Sequence, residues 1–216
     1  MTEYKAAIFD LDGTLIDSMG VWNQIDIDFL GKRGYAVPDD YLKDIACLGF
    51  EAAADYTIQR FGFSETREEI IKEWFDMAIY EYSNNVELKK GVKSYLEQLK
   101  EQGVKMAIAT ASHENLVLPV LKHHGILEWF ENITTVQEVP RGKGFPDVYD
   151  KAAMRMQVCP KECIVYEDIL QGIQGAKAGG YRAIGVYDSH SVHDMEQMKA
   201  LADGYIMDFI NCSFPI

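Results

Sequence analysis

The chain has 216 residues, of which 48% are hydrophobic and 25% charged, and its formal net charge is −13. It is long enough to bury a full core, as one large domain or as one domain that carries an insertion. Its acidic residues are spread along the chain, which disfavours nucleic acid and anionic membranes as partners. Neither a signal-peptide pattern nor a long uninterrupted apolar run is found, so we predict a cytoplasmic protein with no membrane contact.

The stretch AAIFD at the N-terminus predicts a first buried strand, and Asp10 and Asp12 stand at its end. Residues from about 18 to 84 then read as one helix after another, without a convincing strand. The first strand is therefore separated from the rest of the chain by a helical insertion.

From residue 90 onward, short apolar runs alternate with amphipathic stretches, which is typical of parallel strands joined by helices. The predicted strands cover residues 104–110, 131–136, 162–168 and 181–188. The predicted fold class is α/β, with a Rossmann-like doubly wound parallel sheet as the core and an inserted α-helical cap domain. We assign residues 1–16 and 87–216 to the core and residues 17–86 to the cap.

Four cysteines are present, and they lack the spacing of a zinc site. We interpret Cys47, Cys159, Cys163 and Cys212 as reduced residues that pack in the protein interior.

Polar residues follow the carboxyl ends of several predicted strands, where doubly wound sheets bind their ligands. They are Asp10 and Asp12, Thr110 and Ser112, Lys143 on a loop, and Glu167 and Asp168. Carboxylates this close repel one another unless a cation lies among them, and their oxygens suit Mg²⁺. Lys143 can then neutralise a phosphoryl group, and Thr110 can donate a hydrogen bond to it.

Each of these residues also has an ordinary structural interpretation. Asp12 and Gly13 form a common turn sequence, Asp168 and Ser112 can cap the helices that follow them, and Lys143 can be solvated in its glycine-rich loop. Their convergence on one edge of the predicted sheet favours a functional site.

In this order and spacing, the motifs FDLDGTLIDS, IATAS, GKGFPD and VYEDILQG resemble the haloacid-dehalogenase-like superfamily, in the branch whose helical cap follows the first strand. The resemblance implies that Asp10 is the nucleophile that forms an aspartyl phosphate and that Asp12 is the general acid and base. It further implies that Thr110 and Lys143 bind the phosphate, and that Glu167 and Asp168 hold the metal with Asp10 and Asp12.

The resemblance also places several residues among the predicted substrate contacts, namely Gly13, Thr14, Ala111, Ser112 and Trp22. Asp17 and Ser18 are expected to begin the linker to the cap rather than to join the chemistry. The cap is expected to act as a lid that closes over the site and selects the substrate.

Three functions remain open at this point. We favour a Mg²⁺-dependent phosphatase that hydrolyses a small phosphorylated metabolite, such as a sugar phosphate, as a monomer or weak dimer. A sugar-phosphate mutase of the same branch is the alternative, but in the mutases a histidine lies ten residues after the acid/base, where this chain has Trp22. A catalytically silent phosphate-binding module is disfavoured because Asp10, Asp12, Lys143 and Asp168 are all present.

Overall fold

The computed structural model describes residues 4–38, 40–45, 48–210 and 212–213. The chain divides into two compact units. One combines Met1–Met19 with Val86–Ile216, and the other is Gly20–Asn85. Residues 17–19 and Val86, which we assigned to the cap, thus belong to the first unit.

The first unit is built on a parallel six-stranded sheet. Its strands are β1 (Ala6–Phe9), β2 (Lys105–Thr110), β3 (Asn132–Thr135), β4 (Cys163–Glu167), β5 (Arg182–Val186) and β6 (Gly204–Ile206). Their order across the sheet is β3-β2-β1-β4-β5-β6, so the chain enters at the centre and builds outward in both directions.

Helices connect these strands and cover the sheet. They are α5 (Val92–Glu101), α6 (Glu114–His123), α7 (Asp147–Met156), α8 (Leu170–Ala178) and α9 (Met195–Leu201). Helix α7 packs against β1, β2 and β3, and α8 packs against β4 and β5. Small strand residues such as Ala6 and Ala107 let the apolar face of α7 approach closely, and Val148, Ala152 and Met156 are fully buried there.

The strand register determines which side chains meet at the carboxyl edge of the sheet. Phe9 of β1 lies opposite Ile108 of β2 and opposite Tyr166 of β4. The next residue, Asp10, donates its backbone N–H to the carbonyl of Tyr166 at 3.0 Å. Asp10 therefore leaves β1 beside Glu167, the last residue of β4.

Among its described residues, the second unit contains four helices, α1 (Val21–Gly31), α2 (Tyr41–Ile45), α3 (Phe50–Phe61) and α4 (Arg67–Asn84). Helix α4 begins with a capping box in which Thr66 and Glu69 exchange side-chain and backbone hydrogen bonds, which satisfies N–H groups that the helix leaves unpaired. Helices α1 and α4 pack together, with Phe29 and Trp74 in edge-to-face contact at 5.5 Å between ring centroids.

The predicted fold class is confirmed, and all five predicted strands are present. The sixth strand, Gly204–Ile206, was not predicted because its three half-buried residues carry no apolar run. In the described part of the chain, no helix combines the length and the apolarity needed to cross a membrane.

The cysteine prediction holds for some residues and not for others. Cys163 is a buried free thiol at the start of β4, and Cys212 is a half-buried free thiol. Cys159 is exposed, so its interpretation as a packing residue is wrong: it precedes the short turn before β4, where the chain is still at the surface. Cys47 lies outside the described residues.

Candidate active site

Three carboxylates converge at the carboxyl edge of the sheet. Asp10 follows β1, Glu167 ends β4 and Asp168 follows it, and one oxygen of each lies within 4.8 Å of the others. All three side chains are buried, with Glu167 completely inaccessible. Parallel pairing of β1 with β4 produces this crowding, since Asp10 and Glu167 leave neighbouring strands at the same level.

The ammonium group of Lys143 lies against two of these carboxylates. It donates to Asp10 and, at 2.7 Å, to Glu167, and its own side chain is only 6% exposed. Burial opposes the charge of this lysine, but the adjacent carboxylates outweigh it and raise the pKa of the ammonium. Lys143 is therefore a fixed cation, and its interpretation as a solvated loop residue is wrong.

Thr14 and Gly13 allow the loop after β1 to lie in close contact with the carboxylates. The Thr14 hydroxyl lies 3.0 Å from an oxygen of Asp168 and 3.3 Å from an oxygen of Asp10, so it can donate to either one. Gly13 has φ = +81°, and a Cβ built on it would lie 2.3 Å from Asp168. Only glycine permits this close approach without displacing a carboxylate.

The carboxylate cluster fits a divalent cation. Glu167 accepts hydrogen bonds on one oxygen from Lys143 and from Tyr149, while its other oxygen, Oε2, is buried without a hydrogen-bond partner. Burial, and after it the neighbouring charges of Asp10 and Glu167, raise the pKa of Asp168. Three carboxylates here face the single ammonium of Lys143, so a further positive charge can be accommodated. Oxygen donors with this charge excess are the chemistry that Mg²⁺ requires.

Asp12 lies at the same edge but is held by different partners. Ser18 donates to one of its carboxylate oxygens at 2.7 Å, and Ser112 donates to the other at 2.5 Å. We expected Ser18 to begin the linker to the cap, and the turn after β1 brings its hydroxyl back to Asp12. Two hydroxyl donors fix the orientation of a side chain that would otherwise rotate freely.

The two helix-capping alternatives are also wrong. Helix α6 is capped by His113, whose ring nitrogen accepts from the N–H of Asn115 at 3.3 Å, and not by Ser112. The residue that precedes α8 is Ile169, so the side chain of Asp168 is not the cap of that helix. Both polar side chains point instead to other residues of the carboxyl edge.

The remaining predicted residues are distributed over both units. Thr110 is fully buried at the end of β2, where its hydroxyl oxygen accepts the N–H of Ser112 at 2.9 Å. Ala111 follows it, and its carbonyl accepts a 3.4 Å hydrogen bond from Gln137. Trp22 lies on α1 in the helical unit, where it packs edge-on against Phe50 at 5.3 Å between ring centroids.

Two residues at this edge were missed by the sequence reasoning. Tyr149 of α7 donates its hydroxyl to Glu167 at 2.7 Å. Lys89 donates to the carbonyls of Gly13 and Tyr187, each at 2.5 Å, and pairs with Asp188 at 3.0 Å. Tyr149 is hidden in the apolar pattern of its helix, and nothing near Lys89 in the sequence indicates these distant contacts.

Comparison with known proteins places this geometry in context. The family model of the haloacid dehalogenase-like hydrolases matches residues 7–186. Hexitol phosphatase B of Escherichia coli (strain K12) is 29% identical over 181 residues, which are 83% of this chain and 82% of that protein. The phosphorylated carbohydrates phosphatase of Thermotoga maritima is 24% identical and covers 92% of this chain and 90% of its own.

A solved structure supports the fold alone. CbbY from Rhodobacter sphaeroides, crystallised in complex with phosphate, aligns with a TM-score of 0.76 at 20% identity over 96% of each chain. The predicted family resemblance is confirmed by the family model, and the predicted enzyme class, a phosphoric monoester hydrolase, is confirmed by the phosphatases among the curated relatives.

Proposed function

Because the chain belongs to the haloacid dehalogenase-like hydrolases, we propose that its carboxylate edge is the active site of a Mg²⁺-dependent phosphatase that acts on a small phosphomonoester. The observation that carries the proposal is the convergence of Asp10, Glu167 and Asp168 with the ammonium of Lys143 against them. Such an arrangement can hold a cation and a phosphoryl group next to a carboxylate nucleophile.

Asp10 is the proposed nucleophile. One of its oxygens attacks phosphorus, the bond to the leaving alcohol breaks, and an aspartyl phosphate forms. Asp10, Glu167, Asp168 and the backbone carbonyl of Asp12 would hold Mg²⁺, which supplies positive charge to the phosphoryl oxygens. Lys143 and the Thr110 hydroxyl are the proposed ligands of the same oxygens, and the contact of Lys143 with Asp10 supports a role in orienting that carboxylate.

Asp12 is the proposed general acid and base. Its carboxyl protonates the leaving oxygen, then takes a proton from the water that hydrolyses the aspartyl phosphate. The hydroxyls of Ser18 and Ser112 hold this carboxylate in a defined orientation before the substrate binds. Ser112 is also a proposed phosphate contact, together with Gly13, Thr14 and Ala111.

We propose sugar or polyol phosphates as the substrate class, since the curated relatives include a hexitol phosphatase and a phosphatase of phosphorylated carbohydrates. A role for Trp22 in substrate selection, lid closure by the cap, a cytoplasmic location and a monomeric or weakly dimeric state remain predictions from the sequence.

Phosphate release from a panel of sugar and polyol phosphates, with p-nitrophenyl phosphate as a generic substrate, tests the reaction. We expect EDTA to abolish turnover, Mg²⁺ to restore it and Ca²⁺ to fail, since Ca²⁺ prefers more ligands and longer bonds. Asp10→Asn should reduce turnover to less than about a tenth, because an amide cannot accept the phosphoryl group. The matched control is Asp17→Asn, at an exposed position on the same loop, which should leave turnover unchanged. Full activity in EDTA would contradict the metal site.

The mutase alternative is separated from the phosphatase by its product. In coupled assays on one preparation, we expect release of inorganic phosphate and little conversion of β-glucose 1-phosphate to glucose 6-phosphate, even when the bisphosphate is added. Mutase turnover above phosphate release would show that the apolar surroundings of Trp22 were misinterpreted. Trp22→His alone should not create mutase activity, because a sugar bisphosphate needs several donors.

A further inference from the structure

Tyr149 of α7 places a hydroxyl group against Glu167. Both side chains are completely buried, and the hydroxyl donates to Oε1 of Glu167 at 2.7 Å. The neighbours of Tyr149 on the buried face of α7, such as Ala152 and Met156, are apolar. A phenylalanine would fill the same space among them, so the hydroxyl is the feature of Tyr149 that packing does not explain. Its partner is a carboxylate of the candidate metal cluster.

A second donor to Glu167 is shared among several acceptors. Lys143 donates to the same oxygen of Glu167 at 2.7 Å and also contacts Asp10. In the proposed reaction it binds the phosphoryl group as well, so one ammonium serves three acceptors. A tyrosine hydroxyl has a single proton to donate, and Tyr149 donates it to Glu167. Tyr149 is therefore the donor that stays with Glu167 when the ammonium of Lys143 engages a substrate.

The ring of Tyr149 is held in place by its surroundings. It packs against the ring of Tyr181 at 6.1 Å between centroids, and α7 itself packs on β1, β2 and β3. Tyr181 is also buried, and it donates its hydroxyl at 2.8 Å to Asp150, a carboxylate outside the cluster. The two tyrosines are thus a matched pair, of which only Tyr149 contacts the candidate site.

We propose that Tyr149 is a positioning residue of the candidate metal site, whose hydroxyl orients Glu167 to receive Mg²⁺. This role rests on the proposed function and adds to it a residue that acts through Glu167 rather than on the substrate. Groups that hydrogen-bond to a metal ligand fix its orientation, and their removal typically lowers metal affinity by about 10–100-fold. Loss of the hydroxyl should therefore weaken Mg²⁺ binding although Asp10 and Asp168 are unchanged.

Mg²⁺ binding to the metal-free, full-length protein tests this role without any turnover. Tyr149→Phe removes only the hydroxyl, and we expect titration calorimetry to give a Kd for Mg²⁺ at least about tenfold higher than that of wild type. The matched control is Tyr181→Phe, which removes a buried hydroxyl from the neighbouring ring and should leave the Kd unchanged. Thermal unfolding in EDTA verifies that both variants are folded.

The Mg²⁺ dependence of turnover gives a second readout. The Mg²⁺ concentration that gives half-maximal activity should rise in Tyr149→Phe by the same factor as the Kd. Saturating Mg²⁺ should restore kcat to nearly that of wild type, because Tyr149 orients a metal ligand and does not touch the substrate. A loss of activity caused by a distorted sheet would not be reversed by Mg²⁺.

Three results would overturn the role of Tyr149: a Kd for Mg²⁺ in Tyr149→Phe equal to that of wild type, an equal rise of the Kd in Tyr181→Phe, or a low kcat of Tyr149→Phe that Mg²⁺ does not restore. Each of these leaves the proposed phosphatase standing. If the wild-type protein itself failed to bind Mg²⁺, the metal site of the proposed function would be refuted, and the role of Tyr149 with it. The wild-type titration therefore distinguishes the two failures.

Discussion

Replacing Lys143 by Met should destabilise the sheet unit strongly in the absence of metal. The side chains of Lys143 and Asp10 are each 6% exposed, and that of Glu167 is 0% exposed. Met keeps most of the apolar stem but removes the charge that both carboxylates contact. Removing one partner of a buried ion pair costs about 3–5 kcal/mol, because the remaining charge stays buried without compensation.

The lower end of this range applies here, because the carboxylates can take up protons when the ammonium is gone. We therefore expect a loss of about 3 kcal/mol at pH 8, which for a chain of this size lowers the Tm by roughly 6–12 °C. At pH 5 the difference should shrink, since protonation removes the uncompensated charge of the variant.

The control is Lys199→Met in the same unit. Lys199 is 41% exposed and pairs with Glu196 one helical turn away, so its removal should cost less than about 1 kcal/mol. Circular dichroism melts and urea titrations in EDTA, at both pH values, provide the measurement. If Lys143→Met and Lys199→Met were equally stable at pH 8, the ammonium would not be compensating the buried carboxylates.

The remaining predictions concern three other positions. Gly172→Ala should reduce kcat at least tenfold and lower the free energy of unfolding by about 1–3 kcal/mol, because the added Cβ would lie 2.3 Å from the carboxyl carbon of Glu167. The control is Gly31→Ala, which has open space around it and should have little effect in the same assays. Asp26→Asn should raise the free energy of unfolding in urea by about 1–2 kcal/mol at pH 8 and by nothing at pH 4. The sign follows because the folded-state pKa is raised to about 6 from 3.8, so wild-type stability falls as the pH rises through this interval. Lys89→Met should lower kcat more than it changes KM, because three hydrogen bonds from the ammonium hold the Gly13 carbonyl, Tyr187 and Asp188. A kcat equal to that of wild type would show that Lys89 does not position the loop after β1.

The central strands and the carboxylates that follow them were predictable from local sequence. Strands buried on both faces read as apolar runs, and β1 and β4 each end in an acidic pattern that marks the carboxyl edge. Strand β6 was not predictable in this way, because Gly204–Ile206 lies at the edge of the sheet and is only half-buried.

The contacts that complete the candidate site depend on tertiary structure. Ser18 reaches Asp12 through a turn, and Tyr149 reaches Glu167 from the buried face of a helix. Lys89 contacts the loop after β1 although 76 residues separate it from Gly13 in sequence. Local spacing shows that polar groups are present in these segments, but only the packing of distant segments decides which groups meet.

The central position of β1 also determines when the sheet can complete its folding during synthesis. The first strand to leave the ribosome, Ala6–Phe9, pairs on one side with Lys105–Thr110 and on the other with Cys163–Glu167. Until the second partner has been translated, one edge of β1 is open to pairing with other chains. Nascent or truncated chains that stop before β4 thus carry an aggregation-prone edge, and the cluster of Asp10, Glu167 and Asp168 assembles only after most of the polypeptide has been made.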